Sequence, residues 1–249
     1  MSNQNWNAKQ YKDNASFVAE FGNSVLELLN PQPTEAILDL GCGDGALTEK
    51  ISKITSDVIG IDSSESMIHA ANGRGLDAYL MSGDSIEYKN RFDAVFTNAA
   101  LHWIPDYQSV IKGVFIALKE NGRFVGEFGG QGNIAILISA MKEVIENNPQ
   151  MGTFKNPWYF PSSDEYKHHL ENNGFEVKVI KLFSRPTPLK TGVKEWLKIF
   201  ANHIISEMPI HLEDDFLNMT ESIVKPKLFS DSTGWQADYV RLRFNAVKA

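Results

Sequence analysis

The stretch that most restricts what this chain can fold into is ILDLGCGDGALTEK, residues 37–50, where Gly41, Gly43 and Gly45 alternate directly behind a short apolar run. Residues 35–40 read as a buried strand and residues 45–54 as a helix. A strand that enters a glycine-rich turn and leaves as a helix is an arrangement for handling nucleotides. Glycine lets the backbone turn sharply and approach a ligand closely, and the helix start offers N–H groups without an intrahelical partner. Two carboxylates share the stretch, Asp39 near the strand's end and Asp44 inside the turn.

The alternation continues. DVIGID (57–62) reads as a second strand ending in Asp62. SSESMIHAAN (63–72) reads as a helix with capping chemistry in Ser63, Ser64 and Glu65. Strands follow at 77–84 and 92–100, then a helix over 106–122 stopped by Asn121-Gly122, then a strand over 123–130. An earlier helix, 15–30, carries Phe17, Phe21, Val25, Leu28 and Leu29 at helical spacing and stops at NPQP. Five strands alternating with helices predict an α/β, doubly wound parallel sheet in three layers.

Beyond Gly130 the pattern changes. A helix is expected over 133–147, and the aromatic loop NPWYFPSSDEY (156–166) enters another at Ser162/Ser163. Residues 175–183 and 238–247 alternate with period two, the second placing Val240, Leu242, Phe244 and Ala246 on one face. Between them, 184–234 reads as an insertion covering one end of the sheet, helical over 193–205. The chain, 1–249, is expected to be one domain: N-terminal helix, core 35–130, and C-terminal part 131–249 with its cap.

Lys and Arg number 24 against 31 Asp and Glu, a net charge of −7, which disfavours a phosphate-backbone surface. The single cysteine, Cys42, permits no intrachain disulfide, and no Cys/His zinc set exists. The start, MSNQNWNAKQ, lacks a signal-peptide apolar core, and the longest apolar stretch, 134–141, is far too short to span a bilayer. The expectation is a cytoplasmic protein, monomer or homodimer, with a small-molecule partner, without metal, and with neither nucleic acid nor membrane as partner.

Two ligand classes compete for the glycine turn. Gly41, Gly43 and Ala46 fit a dinucleotide fingerprint, with Asp62 about 20 residues on as the ribose acid. A pyrophosphate there would meet Asp39 and Asp44, and like charges at roughly 5 Å repel by several kcal/mol at an effective dielectric near 20. S-adenosylmethionine, a nucleoside with a cationic sulfonium and no phosphate, turns those acids into an advantage. Asp62 then accepts the ribose hydroxyls, and Asp84 sits where an acid or its backbone meets the adenine amine. These groups lie at successive strand ends, which form one crevice in an open α/β sheet.

With DLGCGDG, IGID, SGDS and FDAVFTNAALHWI in that order, the chain resembles the class I S-adenosylmethionine-dependent methyltransferases from about residue 5 to 249. The resemblance implies a seven-stranded sheet whose last strand, carrying RLRFNAV, is antiparallel and inserted beside the fifth. That family usually joins its last two strands tightly, so the insertion of about fifty residues is a departure. NAALHWIPD, Trp6 with Tyr11, and RPTPL look like the trans-aconitate methyltransferase group, which esterifies a small carboxylic acid.

The cofactor set expected on these grounds is Tyr11, Asp39, Gly41, Cys42, Gly43, Gly45, Asp62, Ser63, Met67, Gly83, Asp84, Ser85, Asn98, Ala99 and Leu101, with S-adenosylhomocysteine as product. Cys42 equally reads as a small filler and Met67 as core. His102 and Trp103 either face the crevice and contact the acceptor or serve structure. Trp158, Tyr159 and Phe160 either wall the acceptor pocket or cover the sheet, and Arg185 either clamps an acceptor carboxylate or forms an ion pair. The reaction class is methyl transfer by in-line displacement, with carboxylate O-methylation first. An NAD-dependent oxidoreductase and a non-catalytic S-adenosylmethionine-binding protein are the alternatives. A carboxylate acceptor needs no general base, whereas a hydroxyl or amine would ask for one, with His102 as the candidate.

Overall fold

Residues 21–249 are described by a computed structural model. β1 (Ala36–Leu40), β2 (Asp57–Asp62), β3 (Ala78–Leu80), β4 (Phe92–Asn98) and β5 (Leu118–Gly129) run parallel in the order β3-β2-β1-β4-β5. Beyond β5 comes β10 (Val240–Lys248), antiparallel to it, and then β6 (Phe175–Ser184), antiparallel to β10. The sheet therefore has seven strands with one reversed, as the family resemblance implies.

β1 is buried along its length, which is why its apolar run does not alternate. Its side chains still divide between the two faces. Ile37 joins the core under α1 (Asn23–Leu29) and α2 (Thr48–Ser52). Leu38 and Leu40 join the core under α4 (Tyr107–Ala117) and α6 (Ser163–Asn172). α3 (Glu65–Gly73) follows β2, with Ser64 as its N-cap accepting from Met67 N. Helices on both faces of the sheet make the three layers.

α4 stops at Ala117, not 122. Leu118 is fully buried and pairs with Phe92 in the sheet, so core burial overrides the helical periodicity. The Asn121-Gly122 signal instead marks an irregularity in β5, where Asn121 takes φ 61°. β3 is shorter than the predicted 77–84, and Ser82–Asp84 are loop. β4 stops at Asn98 because Ala99 turns to φ 57°.

The cap expected at 184–234 is helical, in α7 (Val193–Phe200), α8 (Asn202–Ile205) and α9 (Glu213–Leu228). The helix read over 193–205 breaks at Ala201. A small antiparallel sheet escapes the sequence reading: β7 (Thr187–Pro188), β9 (Gly234–Ala237) and β8 (Phe229–Ser230), in the order β7-β9-β8. Val193, Trp196, Leu197 and Phe200 form the buried stripe of α7. With α9 and α5 (Ala135–Asn147) they enclose a further core. None of the described helices is long and apolar enough to cross a membrane. Of the predicted helix 15–30, Asn23–Leu29 is seen. Residues 15–20, Trp6 and Tyr11 lie outside the described residues.

Candidate active site

The three glycines of the first turn have three different reasons. The N–H groups of Gly41 and Cys42 both donate to Ile61 O, at 2.8 and 3.0 Å, which stitches the turn to β2. Gly41 has φ 73°, and a Cβ there would lie 2.2 Å from Ala100 Cβ, so only glycine lets the turn pass the end of β4. Gly45 packs against Ala71 and Leu76 on the far side of the turn. At Gly43, φ 55°, a Cβ would meet nothing within 4 Å. Gly43 lines a cavity, and its bare backbone leaves the floor open to a ligand.

Asp62 closes the turn from the side. Its Oδ2 accepts from Gly43 N at 3.0 Å and its Oδ1 from Ser64 N at 2.8 Å. A carboxylate offers about four acceptor sites, and with three N–H groups facing this one, room remains for a ligand hydroxyl. Burial raises the Asp62 carboxyl above its ordinary range, and the Ser64, Gly43 and Ser63 N–H groups oppose that rise.

The other two acids do not stand where the electrostatic argument put them. Asp39 is buried and absent from the cavity wall. Its Oδ2 accepts the Thr48 hydroxyl at 2.6 Å, and burial pushes its carboxyl up to about 7. It braces the turn from behind, partly neutral near pH 7. Asp44 is paired with Arg74, 2.6 Å away, and Arg74 also donates to its main-chain oxygen. Neither presents a bare charge to the turn. Cys42 also faces away from the cavity. Its sulfur packs over Gly60 among Ile68, Ala71, Leu76 and Ala78, and burial raises its thiol pKa.

The cavity measures about 520 Å³, and its wall divides by the elements that supply it into a first half and a second. The first is bounded by Gly41, Gly43, Asp62, Ser63 and Met67 at one end and by Gly83, Asp84, Asn98 and Ala99 at the other. A Cβ on Gly83 would fall 2.8 Å from Ile104 Cδ1. Ser85 lies outside the wall and donates its hydroxyl to Asp84 Oδ1 at 3.0 Å. Leu101 is buried in the core beneath. Ala99 is an alanine held at positive φ, its N–H fixed to Glu127 O at 2.7 Å. Strain of that kind collects at functional loops.

The second half lies beyond β4. His102 and Trp103 form a 3-10 turn with Leu101 and line it. Trp158 and Phe160 come from the aromatic loop, Trp196 and Phe200 from α7, Asn133 from ahead of α5, and Tyr239 and Arg241 from the approach to and start of β10. His102 is buried. Its Nδ1 accepts the Gly129 N–H at 3.3 Å, so the neutral ring carries its proton on Nε2. Burial, helped by the Arg241 charge, holds its pKa well below the ordinary histidine value.

The structure does not bring Arg185 to the cavity. It forms a two-pronged ion pair with Glu127, which is 2% exposed and also takes Arg243. Tyr159 likewise misses the wall. Its ring stacks on Tyr107 at 4.3 Å, and its hydroxyl donates to Glu165. The cavity's arginine is Arg241, which the sequence reading passed over as one residue of an alternating strand. Cross-strand register alone reveals it: Arg241 faces Gly129, whose N–H holds His102. Glu65 and Ser66 at the start of α3 were also missed, though they follow Asp62 directly and line the first half.

The methyltransferase-domain family matches residues 38–126. An uncharacterised methyltransferase of Schizosaccharomyces pombe is 38% identical over 98% of both chains. A trans-aconitate 2-methyltransferase of Deinococcus radiodurans is 29% identical over 47% of this chain and 46% of its own. A Bacillus halodurans protein solved as a candidate methyltransferase superposes with a TM-score of 0.64 at 15% identity, covering 91% of this chain and 97% of that one, a likeness of fold.

Proposed function

Since this chain belongs to the class I S-adenosylmethionine-dependent methyltransferases, we propose that its cavity takes S-adenosylmethionine in the first half and a small carboxylic acid in the second. The proposed reaction is O-methylation of that carboxylate. The residues of the first half fit such a nucleoside. Gly43 leaves space where any side chain would stand, Asp62 keeps acceptor capacity for a ribose hydroxyl, and Met67 offers an apolar wall. When bound, S-adenosylmethionine supplies an electrophilic methyl group on a good leaving group.

The chain's own contribution is holding, aiming and drying. Asp62 and the bare backbone at Gly43 hold the nucleoside. The rigid tip of β4, with Ala99 pinned to Glu127 O, forms the passage between the halves. Alignment of two reactants in such a passage contributes several kcal/mol to lowering the barrier. Trp158, Trp196 and Phe200, all nearly buried, keep water from the acceptor.

The observation that carries the choice of acceptor is the pairing of Arg241 with a histidine that is no base. His102 uses Nδ1 to accept a backbone N–H and carries its proton on Nε2, so its ring offers a donor there. Its lowered pKa makes proton removal from a hydroxyl or ammonium unfavourable near neutrality. A carboxylate arrives ionised and needs no base, and Arg241 sets a positive charge on the same wall. The relative named for trans-aconitate supports the same class.

The test is transfer of labelled methyl to a panel of carboxylic acids, phenols and amines. Label is expected in a product that mild alkali hydrolyses to methanol, as an ester does. Alkali-stable label confined to phenols or amines refutes the carboxylate. Tight S-adenosylhomocysteine binding without transfer to any class would make the chain a binding protein.

A further inference from the structure

We infer that His102 and Asn133 together form a seat of two neutral N–H donors for the acceptor's carboxylate, with Asn133 the residue that tells an acid from its amide. This rests on the carboxylate reading above and deepens it by naming what receives the oxygens. Both residues line the second half of the cavity, His102 at 7% exposed and Asn133 at 4%. A backbone N–H can only donate, so the side-chain atom that faces one must accept. Gly129 N donates to His102 Nδ1 at 3.3 Å, and Val240 N donates to Asn133 Oδ1 at 2.9 Å. Each side chain is left with its donor, Nε2–H on the histidine and the Nδ2 amide on the asparagine. Among the described residues neither donor has a hydrogen-bond partner. Buried donors in folded proteins are nearly always partnered, so two left open on one cavity wall call for a ligand group rich in acceptors.

The fold fixes both donors where β5 ends and β10 begins. Asn133 N–H donates to Gly130 O at 2.9 Å and Ile134 N–H to Asp238 O at 3.0 Å, which staples the turn after β5 to the approach of β10. Gly129 serves the two residues at once. Its N–H sets the histidine, and its bare Cα makes room for the asparagine, because a Cβ there would lie 2.8 Å from Asn133 Nδ2 and 2.4 Å from Phe160 Cε1. The His102 ring leans on Phe160, with ring centres 5.7 Å apart. Most other polar groups of this half are already engaged within the protein. The Trp196 indole N–H goes to the Tyr239 hydroxyl at 2.6 Å, and Trp103, Tyr239 and Arg241 have contacts of their own, Arg241 over the Tyr239 ring at 4.5 Å. Arg241 thus lends the wall its charge, while the open donors are His102 and Asn133. The Trp158 indole N–H is a third, though no backbone group fixes its aim. A carboxylate suits such a seat, since both its oxygens accept and neither donates. A primary amide or an ammonium would bring N–H groups against N–H groups. No proton has to move at either donor.

The experiment uses the full chain saturated with S-adenosylhomocysteine, titrated calorimetrically with benzoate, 3-phenylpropanoate and trans-aconitate, and with benzamide and 3-phenylpropanamide. Asn133→Asp keeps the oxygen that serves Val240 N–H and turns the donor into a second acceptor. At pH 8 its affinity for the acids should fall about 10- to 100-fold and should recover toward pH 6 as the new carboxyl takes up a proton, while affinity for the amides holds or rises. His102→Asn keeps the Gly129 contact but draws the donor back, and should raise the KM for the methylated acid about tenfold, more than it lowers kcat. S-adenosylhomocysteine affinity within threefold of the parent shows that each variant is intact. A measurement on the parent needs no variant: with nitrogen-15 in its histidines, His102 should be protonated on Nε2, and that proton should shift downfield when an acid is added. An Asn133→Asp that weakens acid and amide alike, a His102 protonated on Nδ1, an Nε2–H unmoved by acid, or no binding of any of the three acids overturns the inference. Acids that still take labelled methyl in those cases leave carboxylate methylation standing. Methyl transfer confined to phenols or amines removes both.

Discussion

Replacing Asp39 with asparagine isolates the energetic cost of a charge that the fold encloses. Asp39 is 2% exposed, and its carboxyl is raised from 3.8 to about 7, by burial above all and by the Asp62 charge in smaller part, against the Thr48 hydroxyl. An acid with a folded-state pKa above its unfolded value holds its proton more tightly when native. Stability is therefore lost as pH climbs from near 3.8, and the loss levels off above about 7. A rise of about 3 units corresponds in full to roughly 4 kcal/mol, of which about 1.5 has been lost by pH 5 and nearly all by pH 8. Asparagine has the same shape, keeps an oxygen for the Thr48 hydroxyl and does not ionise. The Asp39→Asn variant should gain about 2.5 kcal/mol on the parent between pH 5 and pH 8, or roughly 5–10 °C in Tm for a chain of this size. Denaturant titrations of both proteins at the two pH values measure it. Asp62 is common to both and its own titration largely cancels. A stability difference that is the same at pH 5 and pH 8 would mean Asp39 keeps its charge throughout, and the reasoning would fail.

Three further outcomes follow from the same geometry. Asp62→Asn should leave the Tm within a few degrees but weaken S-adenosylhomocysteine binding about 10- to 100-fold, since an amide has one acceptor oxygen and a donor in place of the other; unchanged affinity by calorimetry would remove Asp62 from the nucleoside site. Gly41→Ala and Gly43→Ala should separate stability from binding. The first meets Ala100 and should cost roughly 2–4 kcal/mol. The second pays only the backbone term of about 1 kcal/mol and should chiefly impair ligand binding; equal destabilisation in denaturant would contradict this. His102→Asn, which keeps an acceptor for Gly129 N–H, should lower kcat less than tenfold and leave the pH–rate profile flat between pH 6 and 8; near-abolition would restore His102 as a base.

The sheet was legible because its inner strands are apolar runs bounded by acids and glycines, and Asp62 could be placed because it ends such a run. The purpose of an acid was not legible. Asp39 and Asp44 look alike in sequence, yet one is tucked behind the turn on Thr48 and the other answers Arg74, thirty residues on. The two arginines of the last strands were exchanged for a similar reason. Arg185 precedes a proline-rich loop and so reads as poised for a ligand, but Glu127 claims it. Arg241 sits in ordinary alternation and gains its place from Gly129 across the strand pair. The small β7-β9-β8 sheet has two strands of two residues, too short for any period to register.

Where the family match stops has a practical meaning. It ends at residue 126, inside β5, while Asn133, Trp158, Trp196, Tyr239 and Arg241 all lie downstream. The family model thus spans the strand ends that line the first half of the cavity and stops short of most residues that line the second. Grafting a different cap and closing strand onto the same first 126 residues would be the natural way to retarget this catalyst, and kinship inferred from the front of the chain is a poor guide to its substrate.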